Sequence, residues 1–114
     1  LVYWEEAKSK EKSYVSTADK INRLPEGFPA LLAAEKAYKK LAKAGVAAPE
    51  PPNAASAQTE ADFGKLLFAL CARAADAGID AEIALNALVK KCKRDFAQAE
   101  QSGETADFLQ KLCK

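Results

Sequence analysis

Histidine is absent from the 114 residues, and so is methionine. Without imidazole there is no Ser-His or Cys-His nucleophile pair, no imidazole acid–base catalyst and no histidine-ligated zinc site. The missing methionine, with leucine at position 1, leads to the expectation of a piece of a longer product or a processed form. Val, Ile and Thr are scarce and no alternating apolar pattern marks a strand, so a β architecture is not expected. No apolar run approaches the roughly 20 residues that a membrane span requires. Charge of one sign is missing too. Seventeen basic residues face sixteen acidic ones, leaving a net charge of +1, which makes neither nucleic acid nor a membrane surface an expected partner.

The three cysteines, Cys71, Cys92 and Cys113, form no Cys-x-x-Cys pair. They stand 21 residues apart, but Ala69-Leu70, Lys90-Lys91 and Lys111-Leu112 before them differ too much for a sequence repeat. Their odd number and the lack of a signal peptide point to a reducing, cytoplasmic setting, with thiols packed as small core residues.

What remains is rich in alanine and helix-compatible. Hydrophobic residues make up 49% and charged residues 29%, a balance that excludes wholesale disorder. The expected fold is all-α, in one domain.

Leu1–Lys12 reads as a leading helix, with Glu6 and Lys10 at the favourable four-residue spacing. Residues 13–22 are weakly patterned and read as a connector. Leu24 to Pro29 forms a turn, with Pro29 suited to the first position of a helix that Gly45 ends. Leu31, Leu32, Tyr38 and Leu41 would line its apolar side, and Glu35, Lys36, Lys39, Lys40 and Lys43 its solvated side. Pro49, Pro51 and Pro52 exclude helix over 47–56 and give a stiff link. Thr59 to Asp62 reads as a capping box for a helix over 62–78, whose apolar face would be Phe63, Leu66, Leu67, Leu70, Ala74 and Ala77. Gly78 can take the left-handed conformation that ends it. A long helix then runs from Asp80 to about Gln101, with Ile83, Leu85, Leu88, Val89, Cys92, Phe96 and Ala99 on its apolar face and Lys90, Lys91, Lys93 and Arg94 opposite. Gly103 breaks it, and a short helix with Phe108, Leu109 and Leu112 closes the chain. This divides the chain into a leading helix and connector over 1–22 and a helical domain over 23–114, with a proline-rich link at 46–58.

Three stretches together resemble the C-terminal domain of the MazG-type nucleoside triphosphate pyrophosphohydrolases. They are Trp4-Glu5-Glu6 with Lys8 and Glu11; Leu24-Pro25 through Phe28-Pro29-Ala30-Leu31-Leu32, Ala34 and Lys36 to Ala44-Gly45-Val46; and Gly64, Leu66-Leu67-Phe68-Ala69-Leu70, Gly78-Ile79-Asp80, Ala84-Leu85, Lys91, Arg94 and Phe96. The resemblance implies a bundle of about four helices plus a linker helix. It implies Mg²⁺-dependent cleavage of a nucleoside triphosphate to monophosphate and pyrophosphate. The family holds the metal with Glu-x-x-Glu on one helix and Glu-x-x-Asp on the next, an all-oxygen set that suits hard Mg²⁺.

This chain departs from that pattern. Glu-x-x-Asp corresponds to Asp62-x-x-Lys65, and a Lys ammonium has no lone pair to offer a cation and repels it. The helix that should carry Glu-x-x-Glu falls where the proline-rich link stands. Two polar family positions are Ala72 and Val89, and one basic position is Asp95. Asp62 is thus a remnant metal position, and Lys91 and Arg94 are either phosphate contacts or a solvated helix face. Three readings follow. The first is a catalytically degenerate scaffold that forms a homodimer or packs on another domain of a parent chain, needing no cofactor. The second is an active Mg²⁺ enzyme with Glu60, Asp62, Glu35 or Asp76 as substitute carboxylates. The third is a module that binds a nucleoside triphosphate without cleaving it.

Overall fold

The computed structural model describes residues 15–114, and the expected leading helix over 1–12 lies outside them. All regular structure among the described residues is helical, as expected. The chain divides into two compact units, one ending at Ala81 and one comprising Glu82–Lys114.

Among the described residues the first helix is α1 (Thr17–Asn22), where the sequence pattern suggested a connector. The cause is a local cap: the Asp19 amide donates to Ser16 Oγ at 3.0 Å, satisfying a first-turn N–H. After the Leu24–Pro29 turn comes α2 (Ala30–Lys43). Pro29 sits one position earlier than expected, as N-cap, where its carbonyl accepts the first helical bond from Ala33 N at 2.9 Å. Gly45, at φ +91°, ends α2, with the Val46 amide reaching back to Leu41 O. The link that follows is irregular until a single 3₁₀ turn, Ala54–Ser56, forms inside the span expected to be helix-free. It lies beyond Pro52, the last proline, and Asn53 Oδ1 caps it by accepting from Ala55 N.

The organising helix is α3 (Glu60–Asp76), with the Thr59–Asp62 capping box in place. At its end Gly78 has φ +75°, while the Gly78 and Ile79 amides bond Ala75 O and Ala74 O. A Cβ at Gly78 would meet nothing within 4 Å, so the cost of Gly78→Ala is conformational alone. Thermal denaturation should show a loss of about 1–2 kcal/mol. Gly64→Ala, equally unobstructed but inside α3, should raise stability by about 0.5–1 kcal/mol.

Helices α2 and α3 pack against each other, and the residues that α3 buries are small. Tyr38 on α2 and Ala69, Cys71 and Ala72 on α3 are the buried apolar residues, with Ala72 fully covered. Glu35, expected on the solvated side of α2, is buried as well. It lies three residues from Tyr38 on the same face, and Lys39 Nζ stands 3.5 Å from its carboxylate. The larger apolar face of α3 is not the core. Phe63, Leu67 and Leu70 remain about half exposed, and only their neighbours one step round the helix are covered. Alanine allows a close helix approach, and that approach selects the small stripe over the large one.

The second unit consists of most of α4 (Ala81–Ser102) and α5 (Phe108–Leu112). Phe96 and Phe108 meet edge to face, with centroids 5.2 Å apart. No residue of α4 is buried. Leu88, Cys92 and Ala99 of its expected apolar face are half covered, while Ile83, Leu85, Val89 and Phe96 stay exposed. Of the three cysteines expected in the core, Cys71 is buried, Cys92 half buried and Cys113 exposed. Cys113 is the C-cap of α5.

Candidate functional site

Asp62 and Lys65 come together at the N-terminus of α3, against the proline-rich link. They line a cavity of about 110 Å³ with Pro52, Asn53, Ser56 and Ala57. The lining from Pro52 to Ala57 was not singled out in the sequence; Asn53 ahead of Ala-Ala was the available signal, as a turn cap. Asp62 Oδ2 accepts from the amides of Gln58 and Thr59, each at 3.1 Å, and the Asp62 amide donates to Thr59 Oγ1 at 3.1 Å. The Gln58 amide, then the Thr59 amide and hydroxyl, hold the Asp62 carboxyl below its ordinary value against a smaller opposing desolvation, and the Lys65 charge adds to the lowering.

That arrangement does not fit a Mg²⁺ ion. One Asp62 oxygen is committed to two amide donors, and Lys65, lining the same cavity, offers an ammonium in place of an oxygen. Asp62 serves here as a helix cap.

The lowered carboxyl value sets a pH dependence. Its stabilisation is fully present above the unfolded value near 4 and is lost as pH falls through the lowered folded value. Chemical denaturation from pH 6 to 2 should therefore show stability falling in the acid range, and Asp62→Asn should flatten part of that fall. An equal acid slope in both proteins would contradict the role.

The other carboxylates considered as substitutes are engaged elsewhere or isolated. Asp76 Oδ1 accepts from the Tyr38 hydroxyl at 2.7 Å, and that bond, with burial and the Asp76 charge, raises the Tyr38 value. Glu35 is buried beside Lys39, and Glu60 is exposed in the first turn of α3. Among the described residues no three Asp, Glu or Cys side chains group as a metal site would require.

Lys91 and Arg94 lie together on α4, in the second unit. Lys91 Nζ bonds Asp95 Oδ2 at 2.8 Å, and Arg94 Nε is 3.6 Å from Asp95 Oδ1. The Lys91 hydrogen bond is the main cause of a lowered Asp95 value. Both candidate phosphate contacts thus share one intrahelical carboxylate. Ala72, where the resemblance would put a polar residue, is fully buried.

Among the described residues no helix is long and apolar enough to cross a membrane. No protein-family model matches the chain, and neither a curated protein nor a solved structure does.

Proposed function

We propose that this chain is a MazG-like helical domain that has lost its catalytic centre and acts as a cytoplasmic scaffold, pairing with a second copy through open apolar helix faces. The observation that carries the reading is the state of α3. It keeps a stripe of Phe63, Leu67 and Leu70 half exposed, while its family metal positions are a committed cap at Asp62 and a cation at Lys65. Exposed apolar residues repeating along one helix are the usual mark of a contact surface. Covering the remaining half of each side chain is worth roughly 1 kcal/mol apiece. The second unit adds Leu85 and Val89, four residues apart on one side of α4 and exposed.

Catalytic loss is tested by pyrophosphate release from a panel of nucleoside triphosphates with Mg²⁺ or Mn²⁺. Release should not exceed the metal blank in the native chain. Lys65→Asp should not restore it, because a second acidic pair is still missing. Release that Asp62→Asn abolishes would overturn the reading and make the chain a Mg²⁺-dependent hydrolase.

A further inference from the structure

We infer that the groove between α1 and the C-terminal turn of α2 is a binding site for a small condensed phosphate. It is lined by Thr17 and Lys20 of α1 and by Lys40, Lys43 and Ala44 at the end of α2, and encloses about 260 Å³. Thr17 and Lys20 are three residues apart, as are Lys40 and Lys43, so each helix turns two of these side chains to the same groove. Among the described residues none of the three ammonium groups has a carboxylate partner, whereas Lys39, Lys91 and Lys111 each have one within four residues on their own helix.

Lys20 lies in the last turn of α1, and Lys40 and Lys43 in the last turn of α2. Each helix end carries partial negative charge, which favours a cation there and lowers the cost of gathering three. Those partial charges, about half a unit per helix, leave the groove clearly positive. The space is below the usual size of a drug-like pocket and suits a small ion. Three ammonium groups lining one groove act jointly on a multivalent anion that fills it and weakly on a monovalent one. The Thr17 hydroxyl supplies a neutral donor at the same edge. A chain of phosphates carries several charges along a short, flexible backbone and matches this layout better than a single phosphate does. The inference stands apart from the scaffold role and from the capped Asp62 pocket.

The test is calorimetric titration of inorganic tripolyphosphate into the full chain, with orthophosphate and ATP in parallel arms. The double variant Lys20→Gln/Lys43→Gln should weaken tripolyphosphate binding by about tenfold or more, and Lys90→Gln/Lys93→Gln should leave it unchanged. Orthophosphate should bind far more weakly than tripolyphosphate. Loss of ATP binding in the same variant extends the site to nucleotide-borne phosphates; tripolyphosphate binding alone makes the free ion its ligand, and either supports the groove. Amide shifts on titrating the native chain should concentrate at 17–23 and 40–45, a readout independent of any variant. No binding at millimolar concentration, equal binding in the groove variant, or equal weakening in the control variant would overturn the inference.

Discussion

Replacing Ala72 with leucine should lower the unfolding free energy by about 1–3 kcal/mol, the usual cost of forcing extra methylenes into a packed site. Ala72 is completely covered where α3 meets α2, and Ala69 beside it is nearly so. The buried residues of α2 are Tyr38, tied to Asp76 by its hydroxyl, and Glu35, whose carboxylate is 3.5 Å from Lys39 Nζ. Neither can swing aside without breaking its polar contact. Among the described residues of the first unit only five are buried, so little else there can absorb the strain. Urea denaturation followed by circular dichroism measures the change. A control, Leu67→Ala, removes a larger side chain from the open stripe and should cost much less in a dilute sample, because Leu67 is half exposed. If the alanine-to-leucine change proved neutral while the control was costly, the core would have been assigned to the wrong stripe.

The second large effect concerns association. Leu67→Glu places a charge in the middle of the α3 stripe, between Phe63 and Leu70. In the paired state that charge would be stripped of water with no partner, so affinity should fall by about a hundredfold or more. In the single chain the new carboxylate points to solvent and helicity should be unchanged. Gel filtration of the variant beside the native chain at matched concentration separates these outcomes. A variant that associates as the native chain does would remove α3 from the interface.

The helices themselves were legible because their punctuation is local. Gly45, Gly78 and Gly103 all adopt positive φ and end the helices they were expected to end. The Thr59–Asp62 box is likewise a four-residue signal. The same kind of signal was present in Ser16-Thr17-Ala18-Asp19 but had no apolar stripe behind it, and α1 was read as a connector. Burial was harder. On an alanine-rich helix two stripes share the 3.6-residue period, and periodicity cannot say which one a neighbour will cover. The bulky stripe of Phe63, Leu67 and Leu70 was the natural expectation for the core. Close approach of α2 covered Ala69 and Ala72 instead, and took Glu35 inside with them.

The candidate site shows a related limit. That Lys65, a cation, follows three residues after Asp62 is visible in the letters alone. That Asp62 spends an oxygen on two amides, and that Asp95 pairs with both Lys91 and Arg94, depends on rotamers that no spacing rule supplies. The capping box implied only the first of these.

The most direct test of the account is sedimentation equilibrium of the native chain across the low micromolar range, with circular dichroism of the same samples. The account predicts a reversible monomer–dimer equilibrium that Leu67→Glu shifts to monomer. A native chain that is fully helical and strictly monomeric throughout that range would contradict it.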